Sequence, residues 1–234
     1  MKKLDEIPDQ KLSKAQTLKT TEEFGVIVAG IKDDISVKSG GLDVTILNPE
    51  PQLMLIHNCI DEYTADILMK LVDEKGEQAI YQGNPHCLEY RMNMDGTNDD
   101  KESLAVRRLH KVYYPIQNLI SQVFKHNAMD FLTGHAGFWI LKYNEGGEFE
   151  NHVDWSMDID ETNIRYSHKI MSTLVIHLNE GDFEGGELSV EGKVLDIPKY
   201  SGEVHDGWTY HRVSPVTSGS RYVVLAHFLG VLKD

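Results

Sequence analysis

The sequence predicts an α+β fold, mainly β, in which helical segments come first and short antiparallel strands follow. Three observations predict it. Apolar residues at helical spacing fall in the first half of the chain, up to about residue 130. From about residue 135 the texture changes to short apolar runs punctuated by Gly-rich turns. A chain of 234 residues with 41% hydrophobic content suits one well-buried domain and is short for two.

Residues 1–22 are polar and Lys-rich and read as a mobile N-terminal arm or weak helix. Residues 23–234 are expected to form the single domain. Phe24 to Ala29 and Val44 to Leu47 look like strands, with a turn at Ser39-Gly40-Gly41 between them. Leu53 to Ile56 is a further apolar run. Asp61 is placed to cap a helix with Tyr63, Ile67, Leu68 and Leu71 on one face, ended by Gly76. Residues 79–100 lack periodicity and read as loops with room for a short strand. Leu109, Val112, Tyr113, Ile116, Leu119, Ile120 and Val123 then form one helical stripe, which is core packing. This helical support spans about 53–130. The expected strands after it are Gly137 to Tyr143, Ile170 to Leu178, Glu187 to Val190, Val194 to Ile197, Glu203 to His205 and Arg221 to Leu229. Their spacing fits an antiparallel barrel or a double-sheet jelly roll of the cupin kind, with the helices packed on one face.

The formal charge of −14 argues against broad binding of nucleic acid, which needs clustered Lys and Arg. The two cysteines, Cys59 and Cys87, suggest neither a disulfide framework nor a metal-type Cys pair. No apolar run is long enough to span a membrane. The N-terminus lacks the apolar core of a signal peptide, so a cytoplasmic location is the default expectation. The sequence sets no oligomeric state.

The segment His152-Val153-Asp154 carries the chemistry. Alternate residues of a strand share a face, so His152 and Asp154 are expected to aim an imidazole and a carboxylate at one point. The bend Asn144-Glu145-Gly146-Gly147 before them sets them near a strand end. His211 offers a third donor. Two histidines and one carboxylate leave metal positions open, the donor set of non-haem Fe(II) oxygenases. Metal binding requires neutral imidazoles and an ionised carboxylate. Arg221 can grip the far carboxylate of a 2-oxo acid with its two-pronged guanidinium. Trp155 is expected to face away and pack, and Asp158, Asp160 and Glu161 to lie in a solvated loop. Structural roles are expected for His57, His86, His110, His126, His135, His168, His205 and His227. Of these, His205 and His227 are the candidates for exception, because they flank the proposed site in sequence.

Four ordered segments make the pattern more specific: Tyr143 to Trp155, Ser172 to Asn179, Phe183 to Leu188 with Gly185-Gly186 inside it, and Tyr210 to Tyr222. Over about residues 135–230 the chain resembles the 2-oxoglutarate- and Fe(II)-dependent dioxygenases of the prolyl 4-hydroxylase type. The resemblance implies a double-stranded β-helix core with supporting helices along one sheet. It implies His152, Asp154 and His211 as iron ligands and Arg221 as the partner of the C5 carboxylate of 2-oxoglutarate. Tyr143 takes the place of a tyrosine lining the cosubstrate pocket. His177 stands where some members have a tyrosine bonded to that same carboxylate. Thr173 and Val175 share its strand face and are expected to line the pocket, with Leu188 as an apolar wall.

The activity implied uses O2, decarboxylates 2-oxoglutarate to succinate and hydroxylates a C–H bond, with ascorbate as an optional reductant. The leading substrate is a prolyl residue in a peptide or protein, with a lysyl residue or a small amino acid as variants. Residues 79–100 and 156–168 are candidate lids. Asp95, Asp99, Asp100, Asp158, Asp160 and Glu161 would make the entrance acidic, favouring a neutral or basic peptide. Two alternatives stand beside this reading: a dioxygenase that modifies nucleic acid, and a non-catalytic cupin-like binding module. A binding module has no need for the triad together with Arg221.

Overall fold

The computed structural model describes residues 34–47, 53–79, 85–92, 99–123, 129–131, 137–154 and 168–232. The N-terminal arm, the Phe24 to Ala29 segment, Trp155, Asp95, Asp158, Asp160, Glu161 and nearly all of the second expected lid lie outside the described residues, as do His126 and His135.

Helix α1 (Glu62–Lys75) starts where the sequence signals. The Asp61 carboxylate accepts a hydrogen bond from the Thr64 N–H at 2.8 Å, satisfying a helix-end donor. Ile67, Leu68 and Leu71 are buried with Thr64, Ala65 and Val72. Tyr63 is not on that face. It is 53% exposed in the first turn, where the Arg108 guanidinium covers its ring instead, 5.6 Å from the centroid. Gly76 ends the helix in an extended conformation, and a Cβ there would meet the Val72 carbonyl. Helix α2 (Asp100–Val123) buries Leu109, Val112, Tyr113, Ile116, Leu119 and Ile120 as the stripe requires. Asp99 accepts from the backbone N–H groups of Lys101 and Glu102 and pairs with Lys75 at 3.2 Å. It therefore serves the start of α2 rather than an acidic entrance.

The strands are β1 (Ile35–Ser39), β2 (Leu42–Leu47), β3 (Leu53–His57), β4 (Glu77–Gln78), β5 (Cys87–Arg91), β6 (Met129–Phe131), β7 (Phe138–Asn144), β8 (Phe149–His152), β9 (His168–His177), β10 (Phe183–Gly185), β11 (Leu188–Val190), β12 (Lys193–Val194), β13 (Gly202–Asp206), β14 (His211–Val213) and β15 (Val216–Leu232). They form two antiparallel sheets among the described residues. The major sheet runs β1-β2-β3-β13-β9-β15-β7-β5-β4, with β6 and β10 also on β15; the minor sheet runs β12-β11-β14-β8. The expected strand Val194 to Ile197 leaves its ladder at Val194, while Leu195 and Ile197 still pack against the apolar cluster between the sheets. Strands β10 and β14, three residues each, are too short to show an alternation in the sequence.

Strand alternation splits the core in two. One face of the major sheet sends Ile140, Leu174, Ile176, Val204, Val224, Ala226 and Phe228 against both helices. The other face sends Leu141, Tyr143, Val175 and Val223 against Leu188, Val190 and Val213 of the minor sheet. The helices thus brace one side, and the space between the sheets is left for the site. At the turn from β1 to β2, Gly40 has φ +57° and a Cβ there would come within 2.4 Å of Pro115, so the close approach to α2 needs glycine.

Candidate metal centre

His152 and His211 are brought together by the minor sheet. They face each other in the β8–β14 register, with ring centroids 4.1 Å apart. Asp154 does not reach them by strand alternation, because β8 ends at His152 and the carboxylate lies two residues beyond it. Even so, one ligand atom from each of His152, Asp154 and His211 lies within 4.8 Å of the others.

The fine geometry suits a metal ion. His152 Nδ1 is 2.8 Å from the Glu150 carbonyl and His211 Nδ1 is 3.0 Å from the Thr209 carbonyl. A carbonyl only accepts, so both Nδ1 atoms carry the proton and both Nε2 lone pairs are free to ligate. Those Nε2 atoms point at Asp154 Oδ1, at 3.3 Å from His152 and 3.6 Å from His211. Two donors about 2.1 Å from one ion and at right angles sit about 3 Å apart, so little movement is needed to bind one. His152 Nε2 is buried without a hydrogen-bond partner, which makes the 3.3 Å approach a convergence of acceptors and not a bond.

The electrostatics agree with the ligand state. Burial pushes His211 down to about 3, helped by the nearby His205 and opposed by Asp154. Asp154 is 3% exposed; burial works to raise its pKa, but the hydrogen bond and charge of His205 hold it well below the usual carboxylate range. Neutral imidazole and ionised carboxylate are the forms that bind a metal.

Beneath Asp154 the major sheet supplies a polar row that the sequence only hinted at. His205 on β13 and His227 on β15 both lie beside Thr173 on β9 in register. Thr173 Oγ1 donates a short hydrogen bond to Asp154 Oδ2 and sits 3.1 Å from His227 Nδ1. His205 Nε2 approaches the same Oδ2 at 3.3 Å, and its Nδ1 lies 3.0 Å from the Glu203 carboxylate. Thr173, on the strand face expected to line the cosubstrate pocket, thus engages the triad carboxylate. Burial would lower the His205 pKa, but the Glu203 charge and the Asp154 hydrogen bond outweigh it and lift it to about 10. Burial takes His227 down to about 4. Among the other described histidines, His57 bonds Thr45 and His110 stacks on Tyr114.

Arg221 comes from the major sheet too, on the same strand as His227. It lies on β15 beside Tyr143 of β7, 2% exposed, with the guanidinium 5.3 Å from the Tyr143 ring centroid. Gly186 has φ +65°, and a Cβ there would come 3.1 Å from Arg221 Cδ, so the Gly185-Gly186 turn leaves the arginine room to pass. Two buried polar atoms in this region have no partner, Arg221 Nη2 and His177 Nε2. Burial, reinforced by the Arg221 charge, holds His177 well below its ordinary value and so neutral. A guanidinium and a neutral imidazole with unspent hydrogen-bonding capacity fit a carboxylate group. Val175 and Leu188 are buried in the apolar cluster between the sheets, with Tyr143.

No protein-family model matches the chain. It is similar to a PKHD-type hydroxylase of Colwellia psychrerythraea, 32% identical over 114 residues, covering 47% of this chain and 50% of that protein. The chain spans half or less of the length of the curated relatives it matches. Among solved structures it is similar to the viral collagen prolyl hydroxylase of Paramecium bursaria Chlorella virus-1, determined with 2OG. The TM-score there is 0.52 at 16% identity, over 77% of this chain and 96% of that one. A prolyl hydroxylase of Trichoplax adhaerens, in complex with a hypoxia inducible factor peptide, gives a TM-score of 0.52 at 16% identity over 75% and 82%. These likenesses show the fold: the two facing sheets with helices along one of them are the jelly roll of the 2OG-Fe(II) oxygenases, the double-stranded β-helix expected from the sequence.

Proposed function

We propose that this chain is an Fe(II)- and 2-oxoglutarate-dependent oxygenase that hydroxylates a C–H bond, with a prolyl residue of a peptide or protein as substrate. The observation that carries the reading is the convergence of His152 Nε2, His211 Nε2 and Asp154 Oδ1. Arg221 and His177, with their unpartnered atoms, add an anion anchor on the facing sheet. The similarity to PKHD-type and prolyl hydroxylases supports the same reading.

His152, Asp154 and His211 would hold the iron, and Arg221 with His177 would hold the C5 carboxylate of 2-oxoglutarate. Iron with 2-oxoglutarate and O2 supplies the oxidising chemistry that delivers a hydroxyl and releases succinate and carbon dioxide. The protein contributes orientation. Tyr143 lies against the guanidinium, and Val175 and Leu188 belong to the apolar cluster that keeps water from the anchor. Trp208 and Tyr210 are exposed on either side of Thr209, whose carbonyl orients His211. The formal charge of −14 weighs against a nucleic-acid substrate. Both apolar clusters share the major sheet as a wall, which supports a single domain. No described helix is long and apolar enough to cross a membrane. Both cysteines are free, and with them we assign a reducing, cytoplasmic setting.

The test is an anaerobic titration of metal-free protein with Fe(II) and 2-oxoglutarate. A visible metal-to-ligand charge-transfer band should need both additions and vanish in His152→Ala. Its absence from folded wild-type protein that binds metal would overturn the assignment and favour a binding module.

A further inference from the structure

We propose that Glu203 and His205 are positioning residues for the metal site: they hold Asp154 Oδ2 from below, so that Oδ1 alone is presented to the ion. The inference rests on the metal-binding reading above and adds residues which that reading does not require.

Hydrogen-bond directions carry it. Asp154 Oδ2 receives Thr173 Oγ1–H and faces His205 Nε2 at 3.3 Å. A threonine hydroxyl has one hydrogen, here spent on Asp154, so Thr173 Oγ1 must accept from His227 Nδ1 at 3.1 Å. The other nitrogen of His205 meets both Glu203 oxygens, at 3.0 and 3.1 Å. Every direction in this network ends on a carboxylate oxygen, and Oδ2 is the one that belongs to the site. Oδ1 has the two Nε2 lone pairs before it instead. The two oxygens of one carboxylate are thus divided between support and ligation. Second partners of this kind fix a ligand's orientation and tune its basicity.

Packing alone does not account for the pair. Glu203 and His205 are both fully buried at 0% exposure. The cross-strand neighbours of Glu203 run through Val175 to Leu225, both apolar. Val204, between the two polar residues, points the other way into the helix-side core. An apolar side chain at 203 would match its row, and apolar replacements of buried ion pairs are often neutral or stabilising. His205 touches the triad carboxylate, and Glu203 holds His205 while its charge also offsets that of the buried Arg221.

The experiment titrates the metal-free chain of residues 1–234 with Co(II), an optical probe, and records affinity and the visible spectrum at saturation. Wild type is compared with Asp154→Ala, Glu203→Gln, His205→Leu and His205→Gln, with folding checked by thermal unfolding. His205→Leu should bind about 10- to 100-fold more weakly, with an altered saturated spectrum. His205→Gln, whose amide can still donate to Asp154, should recover part of the affinity. Glu203→Gln should move both readouts in the same direction, and it decides the matter where His205→Leu does not fold. Wild-type affinity together with a wild-type spectrum in the deciding variant would overturn the proposal and leave the metal site intact. If wild type binds no Co(II), or Asp154→Ala binds it equally well, the metal reading itself falls and takes this inference with it.

Discussion

At one end of the inter-sheet space, Asp154 collects hydrogen bonds from Thr173 and His205, which are in turn held by His227 and Glu203. At the other end, Arg221 Nη2 and His177 Nε2 are buried with no partner. Asp154 has its partners within the chain, whereas Arg221, with Tyr143 against it and the Glu203 charge nearby, keeps one buried nitrogen unpartnered. A buried polar group without a partner costs free energy, more so when it is charged. The incomplete end is where an anionic ligand gains most by arriving, and its arrival should stabilise the whole fold through linkage.

The largest effect that sharpens this contrast is Arg221→Ala. Truncating one partner of a buried, hydrogen-bonded charge pair costs about 2–5 kcal/mol. The variant should lose that much affinity for 2-oxoglutarate, measured calorimetrically in the Fe(II)-loaded state, while Fe(II) affinity alone stays within a few fold. An equal loss of both would break the separation of the two ends.

Acidity probes the metal end. His211 and His227 have pKa values of about 3 and about 4 in the folded chain, below the ordinary 6.5. A depressed value contributes stability that is present above 6.5 and lost as pH falls toward the folded value. His205, raised to about 10, does the reverse: its contribution is full below 6.5 and is lost as pH climbs through about 10. The thermal midpoint of metal-free protein should therefore fall on both sides of about pH 6.5. A midpoint flat from pH 5 to 9 would mean that these buried histidines do not titrate as their surroundings dictate.

The smallest effect is His177→Phe. Removing a buried imidazole whose Nε2 lacks a partner should raise the stability of the free protein by about 1 kcal/mol. The same change should weaken 2-oxoglutarate binding by about tenfold, since one hydrogen bond to a charged group is lost. Destabilisation of the free protein would show that His177 is already satisfied.

The sequence made these two ends legible to different depths. His152, Asp154, His211 and Arg221 stand out because their residue types and order imply chemistry, and the structure gathers the first three into one cluster. The capping Asp61 and the stripe of α2 were legible for a local reason, since they depend on neighbours in the chain. The support beneath Asp154 was not. Thr173, His205 and His227 meet through the lateral order β13-β9-β15, which no local pattern records. Glu203 and His205 alternate with Val204 along one expected strand, and nothing local says whether their shared face meets solvent or the inside of the fold. The usable signal was two charged or polar residues on one face of a strand expected to lie inside a jelly roll. Strand alternation would align Asp154 with His152, but Asp154 lies two residues past the end of β8, where the rule no longer applies.

Among the described residues, strand β8 forms one border of the minor sheet and pairs there with β14. His152 lies on that border, directly opposite His211. An ion shared by the two imidazoles would rivet the outermost strand to its neighbour. Exposed sheet borders invite pairing with other chains. Loss of the metal would then cost more than activity, because the same event unfastens a border and leaves the protein prone to aggregate.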